Sequence, residues 1–275
     1  MREELVEMAY FETYYYANIV HNVLDNPMGY LRNLNNWHED REIGLFLQPF
    51  PKWSVLHEFA QFIIEELMYE RIGDVASTAA LSNSRNQLWV DQALKHHGIQ
   101  IPGFQNWLKE KSVLLEDATE DHIFDYHQDL HLTGELDELL AQLSNEVFFI
   151  LFGNRALLAK LNAYVSGVVQ GIEKADLEPE HSALLVRDGV PTRAHIPEWV
   201  RRAVFFRDRG MCASCNKDLS GLVTIATPKH FDHIVPLAEG GINDVTNMQL
   251  LCDACNLAKG RKLVKTSSRY EAWYT

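Results

Sequence analysis

The feature that most constrains this 275-residue chain is the placement of its four cysteines. They all lie in the C-terminal third, as two pairs, Cys212-x-x-Cys215 and Cys252-x-x-Cys255. A pair two residues apart is poorly suited to an ordinary structural disulfide, whereas two such pairs supply four thiolates that can close a tetrahedral zinc site. The sequence therefore predicts one structural zinc ion, with a substantial segment inserted between the two cysteine pairs.

The charge of the chain is divided between its two parts. Residues 190–275 hold 12 Lys and Arg against 8 Asp and Glu, a net charge of +4. Residues 1–189 hold the remaining 13 basic and 30 acidic residues, a net charge of −17. This division indicates a domain boundary, and it places the basic charge in the part that holds the cysteines, as a phosphate-bearing partner requires. The negative charge of residues 1–189 is explained equally well by an acidic helical domain whose charge only keeps it soluble.

The first part of the chain shows helical periodicity throughout. Apolar residues recur near every 3.6 positions, and no sustained alternation requires strands. We predict a mainly α protein, with an N-terminal helical domain followed by a small α+β domain. The predicted helices cover 5–24, 54–72 with Ser54 as the cap, 74–98, two shorter segments after Pro102 and Thr119, and the long pair 135–152 and 154–174.

Prolines and a glycine punctuate the region between about 176 and 197, which is typical of a linker. The predicted organisation is an acidic helical domain over 1–185, a linker over 186–196, a zinc-stapled module over 197–265 and a tail over 266–275. Within the module we expect a short helix over 197–208, strands over 222–226 and 231–235, and a helix that begins at the second cysteine pair.

The segment between the cysteine pairs holds the residues with the clearest chemistry. His233 is a candidate base, and Asp232 offers a hard oxygen to a metal ion. Asn256 lies at the start of the last helix, where its carbonyl oxygen could bind the same ion. Two protein oxygens, several waters and a phosphate oxygen form a coordination sphere that Mg²⁺ prefers. A base for water and a cation for the phosphate are what hydrolysis of a phosphodiester needs.

These residues resemble the HNH (ββα-metal) nuclease family in its four-cysteine form. The resemblance runs from the helix near Trp199 to Lys262. It rests on both cysteine pairs, the string Asp232-His233-Ile234-Val235-Pro236, the turn Gly240-Gly241, Asn247, and the ending Cys255-Asn256-Leu257-Ala258-Lys259.

The resemblance implies a metal-dependent endonuclease that hydrolyses DNA, with double-stranded DNA as the expected partner. It implies His233 as general base, Asp232 and Asn256 as ligands of a catalytic ion, and Asn247 as the residue that orients the histidine-bearing loop. Where the family often has a histidine as its third ligand, this chain has Asn256. An amide oxygen is harder than an imidazole, which favours Mg²⁺ or Mn²⁺.

Three cations, Lys259, Arg261 and Lys262, follow on the same helix end and beyond it. We expect them to contact phosphate groups. The alternative is a solvated helix terminus, where cations suit the helix dipole. For the module as a whole the alternative to an enzyme is a non-catalytic zinc module that binds nucleic acid or a partner protein.

The spacing of other histidines is also compatible with metal binding. Asp125, His127 and His131 resemble a metal triplet, because the two histidines are four residues apart on one helical face. A solvated polar face explains them better. His230 is either an additional ligand near Asp232 or a residue at the end of a strand.

The chain has no run of apolar residues near the length that spans a bilayer, and its N-terminus is acidic where a secretory signal is basic. We therefore expect a cytoplasmic protein that has no membrane partner. The helical domain is expected to bind a second copy or a regulatory protein, and its negative charge would cover or repel DNA. Such an architecture is analogous to a regulated effector, for example a bacterial nuclease of anti-phage defence.

Overall fold

In the computed structural model, residues 7–39, 44–75, 87–221, 229–260 and 266–270 are described. The structure confirms the predicted class: it is mainly α, with two small antiparallel sheets near the C-terminus. Within the described ranges no helix combines the length and the apolar character needed to cross a membrane.

Most of the predicted helices are present, but α1 begins at Thr13 rather than at residue 5, and α2 and α3 lie where no helix was predicted. Up to residue 170 they are α1 (Thr13–Asp25), α2 (Leu31–Glu39), α3 (Gly44–Leu47), α4 (Val55–Val75), α5 (Trp89–His96), α6 (Phe104–Glu110), α7 (Glu120–Thr133), α8 (Glu135–Leu151) and α9 (Arg155–Gln170). The predicted helix over 74–98 is present only as α5 within the described residues, since α4 continues to Val75 and 76–86 lie outside them.

The chain folds as two compact units. The first, which we call the helical unit, comprises residues 1–20 and 57–150. The second unit comprises residues 21–56 and 151–275. This division differs from the predicted boundary at 186–196, because α9 and the segment 21–56 group with the zinc-stapled module.

The helical unit is built from helices with leucine-rich faces. In α8 the residues Leu136, Leu139, Leu140, Leu143 and Val147 are all buried. They follow the i, i+3, i+4, i+7 spacing that puts apolar side chains on one side of a helix. This periodicity is the reason why the helices of this unit can be predicted from the sequence.

The second unit contains all the strands found among the described residues. After α9 come α10 (Pro179–Ser182), the hairpin of β1 (Leu185–Arg187) and β2 (Val190–Pro191), α11 (Glu198–Arg207), β3 (Lys229–His233), β4 (Met248–Cys252) and α12 (Asp253–Lys259). The predicted linker region therefore holds a hairpin. β3 pairs with β4 in an antiparallel register that sets Asp232 opposite Gln249 and His233 opposite Met248.

β4 was not predicted as a strand. All five of its residues are buried, so its sequence does not alternate between apolar and polar positions. The predicted strand over 222–226 lies outside the described residues. The other predicted strand, 231–235, is shifted by two residues in the structure, where it covers Lys229–His233.

Candidate zinc cluster and active site

The four cysteines come together as the sequence predicts. Their Sγ atoms all lie within 4.8 Å of one another, and Cys215 and Cys252 have an Sγ–Sγ distance of 3.7 Å. A tetrahedron with Zn–S bonds of about 2.3 Å has edges of about 3.8 Å. Among the described residues this is the only group of three or more Cys, His, Asp or Glu side chains whose ligand atoms converge in this way. The geometry is that of a structural zinc site.

The thiols of this cluster differ in their acidity. For Cys212, burial acts to raise the pKa, but hydrogen bonds from the backbone N–H groups of Cys252, Cys215 and Ser214 together lower it to about 7. For Cys215, burial raises the pKa to about 12. Crowded thiols ionise together only when a cation is present to neutralise them. The donor set therefore fits a zinc ion bound by four thiolates.

A buried ion network connects the helix before the first cysteine pair to β4. Asp208 accepts hydrogen bonds from Arg207, with Oδ1–Nε and Oδ2–Nη2 distances of 2.9 and 3.0 Å, and from the backbone N of Leu250 at 2.9 Å. Arg155 in α9 adds an ion pair at 3.4 Å between Nη1 and Oδ1. Because all these groups are buried, the network fixes α11 against β4.

The second half of the module places Asp232 against the last helix. α12 packs on β3 and β4, and Nζ of Lys259 lies 2.7 Å from Oδ2 of Asp232. The two groups form a close ion pair, and Oδ2 is buried. The charge of this carboxylate is thus balanced by the Lys259 ammonium group at Oδ2.

His233 is the last residue of β3 and is only 3% exposed. Burial lowers its pKa from 6.5 to about 4, although the hydrogen bond with Asn243 and the charge of Asp232 act in the opposite direction. Its Nε2 lies 3.2 Å from Oδ1 of Asn243. The imidazole is therefore neutral at pH 7 and held by an amide, the state that a general base requires.

The loop after His233 is fixed by Asn247, which is fully buried. Its side-chain Oδ1 accepts from the backbone N of Val235 at 2.8 Å, and its Nδ2 donates to the carbonyl oxygens of Val235 and Ile242. The turn inside this loop needs glycine: a Cβ on Gly241 would collide with the carbonyl oxygen of Val235. Asn247 thus holds the ends of the loop together, as expected of a residue that orients the histidine-bearing segment.

The remaining predicted residues lie on or after α12. Asn256 is partly exposed and lies three residues before Lys259, so the two residues share one face of the helix. Of the two residues, Lys259 contacts Asp232. Lys259 itself is 4% exposed, so it is not the solvated cation that was the alternative to a phosphate contact. Arg261 and Lys262 lie outside the described residues.

Three residues of this site were missed by sequence reasoning. Asn243 holds His233, and its own Nδ2 donates to the carbonyl oxygen of Thr192 at 2.8 Å. Arg193 is exposed, and its charge is near enough to His233 to lower the pKa of the imidazole. Thr192 and Arg193 follow β2, in the segment that was predicted to be a linker. Only the polarity of Asn243 beside the Gly-Gly turn could have pointed to any of them.

The other histidines do not form a metal cluster among the described residues. His127 is buried rather than solvated, with its ring centroid 6.3 Å from that of Tyr69. His131 lies between Asp137 and Glu65, at nitrogen–oxygen distances of 2.8 and 3.5 Å. His230 Nε2 lies 2.8 Å from Oδ1 of Asp253, so it pairs with the first residue of α12.

Comparison with known proteins bears on the module alone. Residues 212–262 match the family model described as HNH endonuclease, which confirms the resemblance seen in the sequence. The match includes both cysteine pairs and the segment from β3 to α12. Neither the curated proteins nor the solved structures gave a match.

Proposed function

We propose that this protein is a metal-dependent endonuclease that hydrolyses DNA phosphodiester bonds at the site formed by β3, the loop after it and α12. The observation that carries the proposal is a neutral, buried His233 next to Asp232 inside a segment that matches the HNH endonuclease family. The coarser statement, a nuclease-type module with a metal-binding cysteine cluster, already follows from the match and the geometry.

In this proposal His233 is the general base. With a pKa of about 4 it is unprotonated at neutral pH and able to take a proton from water. The contact of Nε2 with Asn243 fixes the plane of the ring, and Asn247 fixes the loop that follows. Asn243 and Asn247 are positioning residues, because they act on the histidine and its loop rather than on the substrate.

Asp232 and Asn256 are proposed to hold Mg²⁺ or Mn²⁺. The donor set suits such an ion, since Asp232 has a carboxylate oxygen besides the one that Lys259 contacts, and Asn256 offers an amide oxygen from α12, the helix that carries Lys259. When bound, the ion would supply positive charge to the phosphate oxygens of the substrate. The four cysteines take no part in this chemistry; they hold α12 and the segment from Cys212 to Cys215 together.

Arg193 is an exposed cation whose charge acts on His233, and we propose that it contacts a phosphate of the substrate. Its guanidinium suits bidentate binding of phosphate oxygens, and its influence on His233 places it on the side of the base. Arg261 and Lys262 stay predicted phosphate contacts. For Lys259 the predicted role is weakened by its burial against Asp232.

The test is cleavage of supercoiled plasmid DNA with Mg²⁺ or Mn²⁺ by the full-length chain and by His233→Ala. Loss of at least about 100-fold in rate is expected, in line with the usual contribution of a general base. His230→Ala is the matched control, because it removes a nearby histidine that pairs with Asp253 instead. If His233→Ala cuts as fast as the unmodified protein, His233 is not the base, and the non-catalytic zinc module becomes the better interpretation.

The remainder of the chain is proposed to regulate or target the nuclease. Its support is the net charge of −17 over residues 1–189, which disfavours contact with DNA there. A role in anti-phage defence stays a prediction by analogy. Protection of bacteria against phage by the full chain, but not by His233→Ala, would support it.

A further inference from the structure

The environment of Lys259 suggests a role different from phosphate binding. It is the last residue of α12, where a cation would ordinarily extend into solvent and would still be favoured by the helix dipole. Instead the side chain is 4% exposed and its Nζ lies 2.7 Å from Oδ2 of Asp232. A buried ammonium group is costly unless a counter-charge is next to it. Asp232 supplies this counter-charge, so the ion pair is part of the folded structure of the module.

The pairing is unequal for the two oxygens of Asp232. Oδ2 is shielded from solvent, whereas the Asp232 side chain as a whole is 19% exposed. Because Lys259 contacts Oδ2, Oδ1 is the carboxylate oxygen that is left for a metal ion. The ammonium group also repels a second cation from Oδ2. Asp232 is thus prepared to give one oxygen to a metal ion.

The number of oxygens that a carboxylate offers distinguishes Mg²⁺ from Ca²⁺. Mg²⁺ prefers octahedral coordination at about 2.0–2.1 Å, keeps several waters and takes single oxygens from one or two carboxylates. Ca²⁺ accepts about 6–8 oxygens at longer distances and often takes both oxygens of one carboxylate. A lysine that occupies one oxygen therefore favours the smaller ion.

We propose that Lys259 is a positioning residue that restricts Asp232 to one-oxygen coordination and so selects Mg²⁺ over Ca²⁺ at the catalytic site. The inference rests on the proposed function, because it takes Asp232 as a ligand of the catalytic ion. Lys259 and Asn256 lie three residues apart on α12, so one helix face supplies both the second ligand and the group that limits the first.

The experiment measures ion binding without DNA, on the zinc-loaded full-length chain. Free Mn²⁺ is followed by electron paramagnetic resonance while Ca²⁺ or Mg²⁺ competes for the site. For Lys259→Met, the affinity for Ca²⁺ relative to that for Mg²⁺ should rise about tenfold, the order of effect seen when a group that orients a metal ligand is removed. Lys259→Gln keeps a donor for Oδ2 and should give a smaller rise.

The matched control is Lys229→Met, which removes the same charge from the exposed start of β3 and should leave the ratio unchanged. Taking a ratio cancels the general effect of losing one positive charge. Zinc content verifies that each variant is folded, and if Lys259→Met loses zinc, Lys259→Gln decides the question.

The outcomes separate this inference from the proposed function. If Asp232→Asn abolishes Mn²⁺ binding but the Lys259 variants keep the original ratio, the selective role of Lys259 is overturned and the metal site stands. A Lys259→Met variant that binds DNA more weakly with an unchanged ratio identifies a phosphate contact instead, which also overturns the inference. If Asp232→Asn binds Mn²⁺ as well as the original chain, both the inference and the assigned metal site are wrong.

Discussion

The helical unit and the C-terminal module bury polar groups in different ways. In the helical unit, long helices such as the 17-residue α8 bury rows of leucine, and a buried polar residue such as Glu146 bonds the start of α1 and the segment before it and lies 3.5 Å from His97. In the described part of the module no helix or strand exceeds ten residues, and five of the eight buried residues from 243 to 250 are polar.

This difference shows what stabilises each region. Short elements bury little apolar surface, so the module depends on zinc and on polar side chains that fix the backbone at defined points. Asn247, Asp244 and Asp208 each accept hydrogen bonds from backbone N–H groups. The helical unit depends mainly on packing of apolar helix faces.

Removal of zinc should have the largest effect. In Cys252→Ser, or after treatment with a strong chelator, we expect the module to lose its fold, because zinc binding supplies roughly 10–16 kcal/mol in small zinc domains. Far-ultraviolet circular dichroism should retain most of its helical signal, since the helical unit contains no cysteine. Re-addition of zinc to the chelated chain is the control. Full loss of helix on chelation would show that the two regions do not differ in this respect.

Separation of the module at the predicted boundary should have the next largest effect. Three of its buried groups have partners before residue 190. Asp244 accepts from the backbone N of Val55 at 3.0 Å, Thr246 from Asn162 at 3.2 Å, and Asp208 from Arg155 at 3.4 Å. A fragment of residues 190–275 leaves these groups with fewer partners, at a cost of about 1–3 kcal/mol for each buried bond lost.

The fragment should therefore bind zinc weakly and give a poorly dispersed amide NMR spectrum. A fragment of residues 151–275 keeps α9, with the partners of Asp208 and Thr246, and should be better folded. If residues 190–275 alone give a dispersed spectrum with one bound zinc, the boundary predicted at 186–196 is the true domain boundary. Faster DNA cleavage by that fragment than by the full chain would in turn support autoinhibition.

The ion network at Asp208 should give an intermediate effect. Asp208→Asn removes the charge that neutralises Arg207 and Arg155, which remain buried, so we expect a loss of about 3–5 kcal/mol in the free energy of unfolding of the module. The control is Asp253→Asn in the exposed pair with His230, for which a change of about 0–1 kcal/mol is expected. Zinc release in urea measures both. Equal effects would mean that burial of the network does not matter.

The sequence predicted these regions to different extents, and for physical reasons. Helix α8 could be predicted because its leucines follow one period. The cysteine cluster, Asp232 and His233 could be predicted because their spacing is tied to their chemistry. β4 could not, because strands buried on both faces do not alternate.

The contacts between distant segments were also beyond the sequence. Asn243 contacts His233 because the loop that Asn247 holds together folds back onto the histidine. No local sequence pattern encodes the path of that loop. The burial of Lys259 contradicts the usual behaviour of a cation at a helix end, so only the structure reveals that it pairs with Asp232.

The smallest effect is expected in the helical unit, and only in acid. His127 is buried among aromatic rings, and burial lowers its pKa from 6.5 to about 4, with the charge of His131 acting in the same direction. The folded state therefore binds a proton less readily than the unfolded state. Stability should be fully present above about pH 6.5, fall as the pH decreases from 6.5 to 4, and lose about 3 kcal/mol in total from this group.

His127→Phe should remove that loss while keeping the ring contacts with Tyr69 and Tyr126. At pH 7.5 its free energy of unfolding should be within about 1 kcal/mol of the original, as is usual for a swap of similar volume. Urea unfolding followed by circular dichroism at pH 7.5, 5.5 and 4.5 measures the difference. His122→Phe would disturb the capping box at Thr119, so the control is His21→Phe, at a half-exposed histidine of α1 directly after residue 20 of the helical unit. If His127→Phe loses as much stability in acid as the original chain, the helical unit is not limited by this buried imidazole, and its acid sensitivity has the same polar origin as that of the module.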